Sequence, residues 1–275
     1  MKFEVFKFDN VESTNILAHD LAKKGHKNFL VLANTQTNGK GRLNRVWVSE
    51  EGGLYLSIVL DISNFEKLEH SNFVASLSVL TTLKEFSTNI NDFNDLKYSI
   101  KWPNDILVNN HKICGILSEL NFNENYIVIG IGVNLNNSIY KVNKLNNKNN
   151  ANNNTNNKNN KNNKSVYNAI SLNQLFNTKK YNNDENNMNN NLINKDLFLS
   201  RLLSNFNNYL NMNSSELLEV YNNNSETLNK DVKIILNDKE ITGKVINIDY
   251  NGLYLDTNSE LGVILIEVGD CIHLR

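Results

Sequence analysis

The sequence predicts an α+β fold: a mixed, mostly antiparallel sheet backed by helices, followed by a small all-β module. Three observations carry that expectation. The chain opens strand, helix, strand and then continues mainly with strands rather than placing a helix after each one. The central strand-like runs are joined by short Asn-rich turns, which pair neighbours as hairpins. From residue 231 onward only short strand-like runs remain.

Taken in order, residues 3–8 alternate as a strand. Ser13 or Thr14 is placed to cap a helix with Ile16, Leu17, Leu21 and Ala22 on its apolar face, ended by Gly25. Residues 29–34 read as a strand, and VWVS and LYLSIVL as strands around Gly52-Gly53. Phe73, Leu77, Leu80 and Leu83 recur at helical spacing within 71–86. YSIKW, DILV, KICGILSEL and YIVIGIGVNL follow as strands, and 194–210 and 214–221 as helices. The last segment supplies VKIIL, ITGKVINI, LYLDT, VILIE and CIHLR, with a hairpin turn at Asn251-Gly252. That is a module of the SH3-like kind, near the size limit for independent folding and therefore expected to lean on the rest. Residues 141–164 and 177–191 are dominated by Asn; such tracts bury too little apolar surface to offset ordering entropy and read as disordered inserts. Between them, 166–176 reads as ordered chain returning to the core. The expected division is 1–228, interrupted by the inserts, and 229–275.

Composition narrows the function classes. The 275 residues carry a formal net charge of -1, against a general nucleic-acid binder. The two cysteines, Cys114 and Cys271, sit in apolar surroundings and make neither a disulfide framework nor a zinc pattern. No secretory signal or membrane span is legible, so a soluble, cytoplasmic protein is expected, or an organellar one if a leader lies outside this sequence.

The segment TNGKGRLNRVW, 37–47, concentrates two glycines and three cations in a near-neutral chain. It is no dinucleotide fingerprint, because Asn44 stands where the third glycine belongs and strand-like sequence rather than a helix follows. Nor does a GK[ST] end it as in a P-loop. Two glycines permit close backbone approach, and Lys40, Arg42 and Arg45 suit a phosphate or carboxylate. Such a loop can close over its ligand, whereas a solvated hairpin is the bland alternative. A second cluster, KWPNDILVNNHKICGILSE at 101–119, sets Lys101, Asn104, Asp105, Lys112 and Glu119 in sequence otherwise fit for a core. Asn104 and Asp105 equally suit local turn bonding. Gly130 and Gly132 within a strand point to close approach of a ligand, and Asn134 offers the donor and acceptor an adenine edge needs.

Together, STN at 13–15, QTNGKGRxxRxW at 36–47, KWPND at 101–105, KxxGILxE at 112–119 and GxGVN at 130–134 resemble the biotin protein ligases, in that family's order and spacing. NDKE, ITGKV and GDCIHLR resemble its C-terminal barrel. The resemblance implies a class II aminoacyl-tRNA synthetase-like catalytic domain and two chemical steps. Biotin's carboxylate attacks the α-phosphate of Mg2+-bound ATP, and a lysine of a biotin carboxyl carrier domain, as in acetyl-CoA carboxylase, then attacks the resulting biotinyl-5′-AMP. Cations must bring two anions together, which requires positioning and charge stabilisation rather than a protein nucleophile.

By the resemblance, Lys112, Arg42 and Lys40 are the catalytic candidates. Ser13, Thr14, Asn15, Gln36, Gly39, Gly41, Gly115, Gly130 and Gly132 join them around biotin. Arg42, Arg45, Trp47, Lys101, Asn104 and Asn134 would hold ATP. No metal ligand is singled out. The chain departs from the family at Lys40, where Arg is usual, and at Asn44, where Gly is usual; Lys loses the planar fork, and Asn tolerates positive φ. Some members carry an N-terminal helix-turn-helix; with STN at 13 there is no room for one, and no specific DNA binding is expected. Oligomeric state is not legible. The rival readings are a lipoate ligase, which shares fold and adenylate chemistry, and a non-catalytic binding module.

Overall fold

The computed structural model describes residues 3–62, 70–88, 96–139, 168–180, 192–236 and 239–274. The α+β expectation holds. Strand β1 (Glu4–Val11), helix α1 (Thr14–Lys23), β2 (Phe29–Gln36) and β3 (Leu54–Asp61) lead into α2 (Ser71–Thr88). Then come β4 (Tyr98–Lys101), β5 (Asp105–Val108), β6 (His111–Asn121) and β7 (Tyr126–Val133). Helices α3 (Leu172–Lys180), α4 (Lys195–Leu210) and α5 (Ser214–Asn223) precede β8 (Asp231–Leu236), β9 (Lys239–Asp249), β10 (Gly252–Asp256), β11 (Val263–Ile266) and β12 (Asp270–His273).

A seven-stranded sheet has the order β1-β2-β3-β7-β6-β5-β4. Only β1 and β2 run parallel, because α1 carries the chain back between them. All other neighbours are antiparallel. Both faces are covered along its middle, so its strands read as near-continuous apolar runs rather than alternations. The period of two still sorts them: Leu30 and Leu32 of β2, with Ile127, Ile129, Ile131 and Val133 of β7, join the cluster under α2. Phe29, Val31, Tyr126 and Val128 face the other way and pack with Ala18 of α1. Continuing β7 on the α1 side brings Gly130 and Gly132, and the site begins there.

The expected helices at 194–210 and 214–221 appear as α4 and α5. Asn194 and Asn213 cap them, accepting from the backbone of Leu197 at 3.0 Å and of Ser215 at 2.9 Å. Ser13 occupies the N-cap position of α1 but its side chain makes no cap bond. Gly25 adopts φ +97° after that helix, as expected. Two expectations are corrected. VWVS forms no strand: among residues 46–49 only the isolated bridges Lys40↔Val46 and Gln36↔Ser49 occur. The second Asn-rich tract does not start at 177, since α3 continues to Lys180. Its remainder, and the tract at 141–164, lie outside the described residues. The return of 166–176 to the core is seen at Leu172, Leu175 and Phe176, all buried.

The C-terminal strands form a five-stranded antiparallel sheet in the order β11-β10-β9-β8-β12, as an SH3-like module requires. At its Asn251-Gly252 turn the Asp249 carboxylate accepts from the backbone of Asn251 at 2.8 Å, and Gly252 has φ +147°. Val232, Ile234, Val245, Leu253 and Cys271 belong to one apolar cluster with α2 and α5. Phe73 bridges the two parts, its ring 4.3 Å from that of Tyr221 and 4.9 Å from that of Tyr250. The small sheet therefore does lean on the larger one. Among the described residues no helix is long and apolar enough to cross a membrane.

Candidate active site

The floor of the site is a pair of glycines. Gly115 on β6 and Gly132 on β7 are register partners on the face left open beyond α1. The indole of Trp47 lies on both. A Cβ on Gly115 would come within 2.9 Å of the Trp47 ring, and one on Gly132 would collide with its Nε1 edge. Gly130, one step along the same face, serves a different contact: its space is filled by the Asn15 side chain. The close approach read from these glycines is thus real, but protein side chains make it.

Asn15 is committed internally. Its Nδ2 donates to Leu117 O at 3.3 Å and to Glu119 Oε2 at 2.6 Å, and its Oδ1 accepts from Ser57 Oγ at 2.6 Å. It holds the start of α1 on the sheet rather than offering a free amide. Glu119 also meets His19, whose Nε2 is 3.5 Å away. The hydrogen bond with His19 is the main cause holding the Glu119 carboxyl below its ordinary range, with Asn15 and the charge of Lys40 adding to it against burial. Lys40 is exposed and sits on this side of the site.

Gln36 joins the STN segment to the glycine loop. Its Oε1 accepts from the Thr14 backbone at 2.8 Å and from Thr14 Oγ1 at 3.1 Å, while its Nε2 donates to Ser49 Oγ at 2.7 Å. Ser13, Thr14 and Asn15 are all buried. The loop is folded back on itself: Gly41 N donates to Arg45 O at 2.7 Å and Trp47 N to Gly39 O at 2.8 Å. Its tip is a short 3₁₀ turn at Arg42–Asn44, with Leu43 at φ 53° and Asn44 at φ 56°. Asn44 suits that conformation, as expected; Leu43 does not, and the sequence offered no sign of it. Gly39 leaves room for Ser49 Oγ and Gln36 Nε2.

The loop's arginines reach the C-terminal sheet. Arg42 Nη2 donates to Gly269 O at 3.3 Å, and Arg45 pairs with Asp270. On the other side stand the residues of the β4–β5–β6 hairpins. Lys112 Nζ lies 2.6 Å from Asp105 Oδ1 and 5.2 Å from the Trp47 ring centroid. The Asp105 contact is ionic rather than an aligned hydrogen bond. Burial holds Arg42 below its ordinary pKa, opposed by Asp105 and aided by Arg45. Burial likewise lowers Lys101, opposed first by Asp105, while Lys112 and Arg45 push the same way as burial. Arg42, Lys101 and Lys112 therefore share the field of one carboxylate, Asp105, while Arg45 pairs with Asp270 and adds its charge to the same cluster. That is an excess of positive charge in a partly desolvated place, suited to anions. Asn104 belongs to the scaffold here, its Nδ2 donating to Ile116 O at 2.7 Å. Cys114, wholly buried behind the site, has its thiol pushed up by burial and is inert.

Asn134 continues the glycine face. Its backbone is tied to Ile113 O at 2.9 Å, and its side chain is 2 % exposed. Its amide nitrogen is buried and makes no hydrogen bond to the described residues. Residues that the sequence reading missed include Asp270, Gly269, Ser49 and Ser57. Gly269 and Asp270 stood in the quoted GDCIHLR motif, but their partners in the glycine loop are over 200 positions away; Ser49 and Ser57 are single serines that nothing in their local sequence marks. Asp105 and Glu119 stood in the quoted motifs, yet their partners emerge only in the fold.

Residues 5–136 match the model of the Biotin/lipoate A/B protein ligase family. The chain is also similar to curated proteins named as biotin ligases. A Bifunctional ligase/repressor BirA of Bacillus subtilis is 38% identical over 135 residues, which are 46% of this chain and 39% of the relative. A Biotin--[acetyl-CoA-carboxylase] ligase of Paracoccus denitrificans is 34% identical over 128 residues, 45% of this chain and 51% of the relative. The chain thus spans from about two fifths to half of the length of these curated relatives. In fold the likeness runs further. A biotin protein ligase from Aquifex aeolicus, solved in complex with biotin and ATP, superposes with a TM-score of 0.68 over 99% of both chains at 24% identity.

Proposed function

We propose that the chain is a biotin protein ligase that joins biotin to ATP as biotinyl-5′-AMP and passes the biotinyl group to a lysine of a biotin carboxyl carrier domain. The observation that carries this reading is the convergence of Arg42, Lys101 and Lys112 around Asp105, with Arg45 beside them on Asp270 and a glycine floor alongside. In the first step a biotin carboxylate oxygen attacks the α-phosphorus, the bond to the bridging oxygen breaks, and pyrophosphate leaves. Lys112 is the cation for the incoming carboxylate, which replaces Asp105 as its anionic partner. Arg42 spans carboxylate and α-phosphate, and Arg45 and Lys101 take the remaining phosphates. These charges are in place before reaction, so little reorganisation is needed as negative charge develops. In the second step the acceptor amine attacks the mixed anhydride carbonyl, AMP leaves, and the amine's proton is lost to solvent.

Ser13, Thr14 and Gln36 border the end of the floor nearest α1, where a polar ring such as the ureido group of biotin would bond. Among the described residues no group of three or more His, Cys, Asp or Glu is placed to cage a metal. That fits Mg2+ carried on the triphosphate, with Asp105 the nearest carboxylate to offer it.

The test is exchange of labelled pyrophosphate into ATP by the purified chain. Exchange is expected with biotin and not with lipoate. Equal exchange with lipoate would move the assignment to the other branch of the same family, and none with either acid would overturn it.

A further inference from the structure

The α1 end of the floor is lined by polar side chains that bond one another in series. At the far end Asn121 Nδ2 donates to Tyr126 Oη at 3.1 Å, and Tyr126 Oη lies 3.0 Å from His19 Nδ1. His19 Nε2 is 3.5 Å from Glu119 Oε2. The same carboxylate oxygen accepts from Asn15 Nδ2 at 2.6 Å, and Asn15 Oδ1 accepts from the buried Ser57 Oγ at 2.6 Å. One residue back, Thr14 gives its backbone N–H and its hydroxyl to Gln36 Oε1. Gln36 Nε2 then reaches Ser49 Oγ, which donates to Trp47 O at 3.1 Å. One path therefore runs from the start of β7 to the residue that covers the floor.

The bond directions along this path agree with one another. Tyr126 Oη receives an Asn121 amide hydrogen, so its own proton goes to His19 Nδ1 and the His19 proton stays on Nε2, facing Glu119. Asn15 spends its amide nitrogen on Leu117 O and Glu119, which turns its oxygen to Ser57. Glu119, ionised, only accepts, and both arms meet on it. Gly130 completes the seat, because a Cβ there would collide with Asn15 Oδ1. Ser13 makes no side-chain cap bond, so the start of α1 is not fixed by its own cap. Asn15, in the first turn, fixes it instead.

We infer that Glu119 is a positioning residue for biotin. Acting through Asn15, it sets the first turn of α1 so that Ser13, Thr14 and Gln36 meet the ureido ring, and His19 and Tyr126 hold Glu119 in turn. Glu119 itself touches no substrate atom. A binding group keeps its geometry only when the groups behind it are locked by bonds of their own. Glu119 is also remote from the cations. It stands seven positions along β6 from Lys112, about 23 Å on an extended strand, so loosening it acts on biotin and not on ATP. This inference rests on the ligase reading in taking biotin as the acid.

The test measures equilibrium binding of biotin and of ATP to the full chain by calorimetry, with pyrophosphate exchange alongside. Glu119→Gln keeps the size but loses the charge and one acceptor; it should weaken biotin about tenfold or more and leave ATP within about twofold. Asn15→Asp sets two carboxylates against each other and should weaken biotin about 100-fold. Combining Asn15→Asp with Glu119→Gln again places a donor against an acceptor, in reversed order, and should recover at least about tenfold of that loss. Tyr126→Phe removes only the hydroxyl behind His19 and should cost biotin binding a few-fold, which gives the same biotin-only readout if Glu119→Gln does not fold. Unchanged biotin affinity in Glu119→Gln and Tyr126→Phe, equal weakening of biotin and ATP, or no recovery in the double variant would each overturn the inference and leave the ligase reading standing. Biotin binding with the expected split but no biotin-dependent exchange in the unaltered chain would overturn the ligase reading and leave the positioning role standing. A chain that binds no biotin would sink both.

Discussion

The site is built from two regions that present the same kind of charge by different means. In the hairpins of β4–β6, Lys101 and Lys112 stand on strands whose backbones are fixed by ladder bonds, Lys101 opposite Asp105 and Lys112 opposite Leu107. In the loop 37–47, Arg42 and Arg45 stand on a turn tied internally by a few bonds and anchored at Gly269 and Asp270, more than 200 positions away in sequence. The hairpin cations are positioned by local pairing, whereas the loop cations are positioned by the C-terminal sheet. The difference teaches what each region is suited for. A charge on a strand can receive a carboxylate with little loss of entropy, and a charge on an anchored loop can release and re-form its contacts as substrates enter and leave.

The largest effect expected from this contrast is at Lys112. Lys112→Ala should lower the pyrophosphate exchange rate by about 1,000-fold, because nothing else on the strands replaces it at the carboxylate; a loss under tenfold would show that the loop alone suffices. Arg42→Ala should cost about 100-fold in the same assay. Asp270→Ala removes the anchor but no substrate contact, so it should raise the KM for ATP about tenfold while the KM for biotin and the melting temperature barely move. An equal rise in both KM values would mean the loop is placed by something other than the small sheet. Asn44→Gly relieves a left-handed backbone cost of about 1 kcal/mol and should make closure modestly more favourable, seen as a few-fold lower KM for ATP.

A separate effect, on stability rather than on catalysis, is electrostatic and sits where the two sheets meet. His273 bonds Thr227 at 3.0 Å, and Thr227 in turn accepts from the Trp102 backbone at 3.0 Å. Burial first, and then the charges of Lys101 and Lys230, lower the His273 pKa from 6.5 to about 4. Between those values the unfolded chain binds the extra proton and the folded chain does not, so stability rises with pH across that window and falls toward pH 4. The slope is at most about 1.4 kcal/mol per pH unit. In denaturant melts, His273→Gln should flatten the dependence between pH 4 and 6.5; an unchanged slope would show that His273 contributes nothing to it.

Legibility in the sequence followed the range of the cause. The strands β2, β3, β5, β6 and β7 and the helices α2, α4 and α5 were readable because apolar spacing is a local signal. VWVS was misread as a strand because its composition suits one, while its backbone is spent on bridges that hold the loop. The glycines at 130 and 132 were recognised as places of close approach, and Gly115 entered only through the resemblance, but sequence does not say what approaches. Asn15 and Trp47 are at least 68 positions from the glycines they cover.

What the sequence alone determined, then, is most of the order of elements, the α+β class and the candidates for the proposed chemistry: Lys112, the glycine loop with its cations, and Asn134. Those follow from short-range patterning and from motifs that are contiguous in the chain. Only the tertiary structure decided that Arg42, Lys101 and Lys112 share Asp105, that the small sheet anchors Arg42 and Arg45, that Asn15 is fully used within the protein, and that Asn137 donates to Asn134. Most of these are pairings between distant segments, and whether a buried polar group is spent or free depends on neighbours that only the folded chain supplies.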